Sequence, residues 1–271
     1  MLDYIDLGSL KASRFILGCN PFSGFSHQGP EMDREMMRYY TTERIKDTLQ
    51  YAVNIGITTH LGRADHHMIR VFLEFEERGL STNWLAQTCT EFGTPLAGVR
   101  KALGAGANAV YIHGGHMDHL VAQGKYTEIR DAINCIHDAG LPAGIAGHTP
   151  AVHEWAEEHL EVEFYMCSYY NPSNRADRPE HDPNMDELYL DEDRERMVAF
   201  IATASRPVIH YKIMAAGRNE PHAAFAFTAQ HMRPQDAVCV GVYTRIDPNM
   251  IAEDVNLLYE NLKARAAAPQ V

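Results

Sequence analysis

Four histidines close short apolar runs: Gly-Ile-Thr-Thr-His60, Ala-Val-Tyr-Ile-His113, Ala-Gly-Ile-Ala-Gly-His148 and Pro-Val-Ile-His210. Each run reads as a buried strand that leads into a loop and then a helix. An imidazole where a buried strand meets its loop is costly without a partner. That junction is also where α/β enzymes place their chemistry. Neutral imidazoles with a nearby carboxylate suit Zn, Fe, Mn or Co, with an open position for water or substrate. Such a divalent metal polarises a carbonyl or stabilises an enediolate. The expected metal set is therefore His60, His113, His148 and His210. The competing reading makes each a core histidine satisfied by one hydrogen bond, and no strict motif such as HExxH decides between them.

Other polar residues gather around these positions. Lys212 shares its parity with His210 and is expected to face inward beneath the histidines. There its pKa would be lowered, making it an acid, a base or a Schiff-base amine; a buried ion pair is the alternative. Asp65 follows the second strand and is a second acid/base candidate, and Tyr169 is a catalytic candidate at the end of the sixth. Arg63, His66 and Asn171 are expected to touch a hydroxyl-rich or anionic substrate. Gly217 with Arg218, and Arg245 further on, fall where barrels commonly hold a phosphate, so they are the cofactor-binding candidates. His27, His137, His153, His159, His222 and His231 are expected to face solvent.

Positioning these residues requires alternating elements, and strand and helix signals alternate eight times. Strand-like runs cover residues 15–18, 57–61, 84–87, 109–113, 142–146, 162–168, 207–213 and 237–242. Between them lie stretches with apolar residues at helical spacing, capped by Thr42 and stopped by Gly56 and Gly140. Eight such units over residues 1–271 predict one (β/α)8 TIM-barrel domain. Two segments, about 20–40 and 169–193, are longer than a barrel needs and read as catalytic-face loops or as contacts to a second copy of the chain. An open doubly wound sheet loses weight because no GxGxxG follows the first strand and no GxxxxGK[ST] occurs.

Composition narrows the partners. The formal net charge is -12, which argues against nucleic acid. No basic-then-apolar leader and no apolar run of membrane-spanning length is present, so no membrane role is expected. The five cysteines have no CxxC spacing and read as reduced residues of a cytoplasmic protein.

Several short segments resemble the aldo/keto reductase superfamily, in an order that agrees with a barrel. Ser13-Arg14-Phe15-Ile16-Leu17-Gly18 is similar to its opening strand, and Gly56-Ile57-Thr58-Thr59 to the approach to its second. Tyr111-Ile112-His113 looks like the strand that carries its active-site histidine, and Tyr170-Asn171-Pro172 like the end of its sixth strand. Lys212 to Arg218, then Val240-Gly241 through Ile251-Ala252-Glu253-Asp254, look like its cofactor-facing units. The resemblance implies a barrel that reduces carbonyls with NADPH through an Asp, Tyr, Lys and His tetrad. Only His113 carries over. The aspartate would fall near Leu61, the tyrosine near Asp65 or His66, and the lysine within Gln87-Thr88-Cys89. The pair that holds the nicotinamide amide falls at Ala146-Gly147 and the glutamine near Cys167, so the cofactor contacts are missing too.

Together these features predict a divergent aldo/keto-reductase-like enzyme. Its expected chemistry is metal-assisted proton abstraction beside a carbonyl: an isomerase, epimerase or lyase acting on a sugar-derived or polyhydroxylated small molecule. An NADP-dependent oxidoreductase with a rearranged site is the alternative. A non-catalytic sugar-binding or assembly protein is the third.

Overall fold

A computed structural model of the chain describes residues 2–173, 175–180 and 187–267. An antiparallel hairpin comes first, β1 (Tyr4–Leu7) and β2 (Leu10–Ser13), then β3 (Phe15–Gly18), α1 (Pro30–Tyr39) and α2 (Thr42–Asn54). The alternation continues with β4 (Thr59–Arg63), α3 (His66–Glu77), β5 (Asn83–Gln87), α4 (Pro95–Gly104), β6 (Ala109–Ile112), α5 (Gly114–Ala122) and α6 (Tyr126–Asp138). It closes with β7 (Ala143–Gly147), α7 (Pro150–His159), β8 (Phe164–Ser168), α8 (Asp191–Thr203), β9 (Val208–Tyr211), α9 (Pro221–His231), β10 (Ala237–Gly241) and α10 (Met250–Ala267). Strands β3 to β10 pair in parallel, and β10 pairs back to β3, so the sheet is a closed (β/α)8 barrel. Among the described residues no helix is long and apolar enough to cross a membrane.

Several helices start where a side chain satisfies one of their first N–H groups. Thr41, rather than the expected Thr42, caps α2 and accepts from the Arg44 N–H; Thr94 accepts from Ala97 and Glu220 from Ala223. Asp191, Glu192 and Asp193 crowd the first turn of α8, where negative charge suits the helix dipole.

Each barrel strand is buried on both faces, and the two faces are separate clusters. Inside lie Ile16, Leu61, Leu85, Tyr111, Met166 and Ile209, with Ile5, Leu7 and Ala12 of the hairpin packed among them. The hairpin closes the end of the barrel opposite the mouth, because the Asn83 side chain, at the start of β5, donates to the Lys11 carbonyl at 2.9 Å. The other face, with Leu17, Val110, Ile145, Cys167 and Val208, packs against the helices.

This assignment of faces corrects two expectations. Leu61 faces inward, so His60 faces the helix layer, where its Nδ1 meets the Thr82 hydroxyl. Ile209 and Tyr211 belong to the interior, and Val208 to the helix layer; His210 therefore faces outward as well. A strand of a parallel barrel is apolar on both sides, so its sequence carries little alternation to set the phase.

His210 serves a structural network. The Tyr169 hydroxyl lies 2.9 Å from its Nδ1, and Asp236 lies 3.3 Å from its Nε2. Asp236 also accepts from the Val208 N–H at 2.9 Å and from the Arg233 guanidinium at 2.9 and 3.0 Å. Burial pushes the Asp236 pKa up, but hydrogen bonds from His210 and Arg233 outweigh it, and the net shift is downward. Removing this fully buried carboxylate strands a guanidinium, a backbone N–H and an imidazole. Asp236→Ala is expected to cost about 3–5 kcal/mol, read as a lower urea midpoint. The stabilisation from Asp236 is present above the unfolded carboxyl pKa and lost as pH falls through its lower folded value.

Candidate active site at the barrel mouth

The C-terminal ends of β6, β7 and β9 bring together His113, His148, Tyr211 and Lys212, and α5 adds Asp118. Tyr111 and Ala146 face the interior, and His113 and His148 continue their parity to the mouth, as the sequence predicts. His113 caps α5: its Nδ1 accepts the Gly115 N–H at 3.1 Å, leaving Nε2 as the protonated nitrogen of the neutral ring. Its own N–H donates to Thr88 Oγ1 at 2.9 Å. Gly114 lets the start of α5 lie against the site: a Cβ there would sit 2.8 Å from His148 Cε1 and 3.3 Å from the Tyr211 hydroxyl.

His148 and Asp118 form a buried dyad. Asp118 Oδ2 lies 2.6 Å from His148 Nδ1, and Oδ1 accepts the His148 N–H at 3.1 Å. Two bonds from one carboxylate fix both the ring and its tautomer, with Nδ1 protonated and Nε2 free to take a proton. Burial raises the Asp118 pKa to about 6. Burial and the charge of Arg175 hold His148 well below the usual histidine value, so its ring is neutral. Lys212 stands nearby, lowered to about 8 by burial and then by Arg175. Its backbone is left-handed, with φ 58°, and Ala215 and Ala216 follow at 46° and 55°. Strain of this kind persists where the surroundings enforce it, often at functional sites.

The segment after β8 folds over this group. Arg175 is 5 % exposed, and its Nη1 lies 3.2 Å from Nε2 and 3.3 Å from Nδ1 of His148. The Ala176 carbonyl accepts from Gln123 at 3.1 Å and lies 2.9 Å from His119 Nδ1, which ties the segment to α5. On its other side Glu187 lies 2.8 Å from His27 Nδ1 and accepts from the Tyr189 hydroxyl at 2.7 Å. The two long segments foreseen at 20–40 and 169–193 thus meet over the mouth. Residues 174 and 181–186 of the second lie outside the described residues.

Other expected site residues have different tasks. Asp65 caps α3, accepting the Met68 N–H at 2.8 Å and pairing with Arg63 at 3.0 Å, so it is not free for proton transfer. Arg63 is further held by Glu91 and lies over the Phe25 ring at 4.6 Å. His66 is exposed at the start of α3. Tyr169 points into the helix layer toward His210 and Phe227 rather than the mouth. The Asn171 N–H donates to Asp193 at 3.2 Å. Arg218 is folded on the Tyr189 ring at 4.4 Å and donates to the Ala215 and His27 carbonyls. Gly217 is exposed with φ 84°, and Arg245 pairs with Glu35 at 3.1 Å. Neither arginine is set on a shared anion cradle.

The expected metal set does not assemble. His60 and His210 are in the helix layer, His148 is committed to Asp118, and a guanidinium covers its ring. Among the described residues no group of three or more His, Cys, Asp or Glu side chains is placed to hold a metal ion. This donor set does not fit a metal, and the chemistry below uses side chains alone.

Asp118, Arg175, Tyr211 and Gln87 are functional candidates that the residue patterns do not single out. Gln87 lies in the Gln87-Thr88-Cys89 stretch where the family resemblance expects a lysine and accepts from the Tyr111 hydroxyl at 2.7 Å. The closeness of Asp118 to the strand carrying His113 was the one available signal. His27 and His153 are not solvent-facing as expected. His27 is partly buried against Glu187, and His153 is fully buried between Tyr165 and Phe200, with centroids at 5.5 and 5.3 Å. Burial lowers the His153 pKa to about 4. The folded state therefore binds fewer protons than the unfolded state between pH 6.5 and about 4, and stability falls as pH drops through that window. His153→Phe is expected to flatten this acid limb in a pH series of thermal melts.

Comparison with known proteins places the fold. No family model and no curated protein matches the chain. Among solved structures, it is similar to a Pseudomonas aeruginosa protein assigned to the aldo-keto reductases, with 18% identity, 96% of each chain covered and a TM-score of 0.63. An aldo-keto reductase from Bacillus halodurans, in its holo form, aligns with 13% identity over 100% of this chain and 93% of its own, at a TM-score of 0.56. The likeness extends to a Yersinia pestis DHPS, with 9% identity, coverage of 98% and 100%, and a TM-score of 0.55. The chain has the (β/α)8 barrel fold of the aldo-keto reductases, carried on a widely divergent sequence.

Proposed function

We propose that this chain is an enzyme that abstracts a proton beside the carbonyl of a hydroxyl-bearing small molecule, giving isomerisation, epimerisation or β-elimination. The observation that carries this reading is the buried His148–Asp118 dyad beside Lys212 and Arg175. His148 Nε2 takes the proton from the carbon next to the carbonyl. The C–H electron pair moves into a new C=C bond and the carbonyl oxygen becomes an enolate. The Lys212 ammonium and the Nε2–H of His113 stabilise that oxygen, which is where charge develops. Asp118 stabilises the imidazolium as it forms. In isomerisation Lys212 protonates that oxygen and then takes the proton of the neighbouring hydroxyl, while the His148 imidazolium delivers its proton to the former carbonyl carbon. In epimerisation a proton returns to the same carbon on its other face. In elimination the enolate re-forms the carbonyl, the β-hydroxyl leaves as water with the Lys212 proton, and exchange with solvent resets both groups. Arg175 covers Nε2 in the free protein, so the base opens when the guanidinium turns to the substrate.

Screening ketoses, aldoses and keto-sugar acids by NMR, with no nicotinamide added, tests this reading. Product formation is the expected result. The NADP-dependent reductase remains the competing reading because of the shared barrel and the placement of His113. It needs a proton donor and cofactor contacts, yet Gln87-Thr88-Cys89 holds no lysine, and Arg218 and Arg245 are engaged within the protein. Titration with NADPH is expected to leave protein fluorescence unquenched; tight quenching would favour the reductase.

A further inference from the structure

Two cations stand at the mouth without a direct ion pair among the described residues; the charges of Asp118 and Glu187 reach them only from a distance. Arg175 is 5 % exposed, makes no ion pair among the described residues, and its Nε has no hydrogen-bond partner. Its hydrogen-bond contacts among the described residues are to the neutral His148 ring. Lys212 likewise makes no ion pair among the described residues, and a left-handed backbone holds it at the end of β9. The nearby acids are already used. Asp118 is held to His148 by two bonds, Glu187 meets His27 and Tyr189, and Asp65 and Glu91 both pair with Arg63. A buried charge is retained only when it is paired or when something else will pair with it. A guanidinium with a free Nε edge matches a carboxylate, which takes two parallel N–H bonds from that edge.

We infer that Arg175 and Lys212 bind a carboxylate of the substrate, so that the carbonyl compound is a keto acid or sugar acid rather than a neutral sugar. This rests on the proton-abstraction reading for the carbonyl and on the two cations without a direct ion pair among the described residues for the acid. Arg175 takes the carboxylate side-on and leaves His148 Nε2, while Lys212 lies between the carboxylate and the reacting oxygen.

Thermal melts and calorimetric titration of the full chain with D-gluconate and with sorbitol, at fixed ionic strength, test the inference. The two probes share a polyol chain and differ chiefly at the carboxylate. Gluconate, or a companion acid among glucuronate and malate, is expected to raise Tm saturably at millimolar concentration, with sorbitol inert. Arg175→Gln is expected to weaken that binding by about tenfold or more. Because the variant removes an unpaired buried charge, its melt without ligand should be no lower than that of the parent. Arg175→Lys keeps the charge, loses the side-on geometry and should bind weakly too. No saturable response to any of the three acids, or a response unchanged in Arg175→Gln, overturns the inference. His148-dependent exchange on a neutral ketose without carboxylate binding also overturns it and leaves the proton-abstraction reading standing. Arg175-dependent carboxylate binding with no exchange on any carbonyl compound supports the carboxylate site and counts against that reading.

Discussion

Replacing His148 by glutamine should lower turnover by about 10³-fold, within the range removed when a general base is lost. Glutamine keeps much of the shape and can still hydrogen-bond Asp118, so the fold should survive, as circular dichroism would show. Asp118→Asn should cost about 10²-fold, because its amide oxygen keeps the His148 N–H while the NH2 in place of Oδ2 donates to Nδ1 and selects the wrong tautomer. The pH profile carries the same information. The neutral base persists into acid because burial and Arg175 hold His148 low, so the acid limb belongs to Asp118, near pH 6. Below that value the carboxyl is protonated and stops supporting the imidazolium. The basic limb belongs to Lys212, near pH 8, above which the ammonium is lost. A bell in kcat/KM between these limits is expected, with the acid limb missing in Asp118→Asn.

Lys212→Met should lose activity by about 10²-fold and at the same time stabilise the protein. The folded pKa of Lys212, about 8, lies below its ordinary 10.5. Between those values the unfolded chain binds more protons, so folding is penalised in full below about pH 8 and the penalty is relieved as pH rises toward 10.5. Removing the charge should therefore raise stability at neutral pH by about 1–3 kcal/mol, seen as a higher Tm. The gain should shrink as the parent is titrated to high pH. Lys212→Gly separates charge from backbone strain, since glycine also relieves the left-handed conformation. An inactive variant that is less stable than the parent would mean that Lys212 has a structural partner.

The barrel is legible in the sequence because each parallel strand is a short apolar run with turn residues beside it. Observed boundaries fall within about two residues of those expected for most strands, as for Ala143–Gly147 against 142–146. Helix α7 is found where Pro150 at its first turn places it. The hairpin β1–β2 is missing from the sequence reading, although Tyr4–Leu7 alternates exposed and buried residues ahead of Gly8. Which face a buried strand presents is not legible. His60 and His210 sit one residue from inward-facing Leu61 and Ile209, and apolar neighbours on both sides conceal that single step. His113 and His148 survive because they lie beyond the last strand residue, where the chain must turn over the mouth. Arg175 could not be placed from sequence, since a cation in a long loop becomes a site residue only when the loop folds back over the strand ends.

The central claim is that His148 moves a proton to and from carbon. Its most direct test is the wash-in of solvent deuterium beside the carbonyl of a keto-sugar acid in D2O, followed by proton NMR without nicotinamide. The account predicts loss of the α-proton signal at a rate set by the parent enzyme, slowed by about 10³-fold in His148→Gln. Retention of that proton with every compound tried, together with NADPH oxidation in the presence of the same carbonyls, would contradict it.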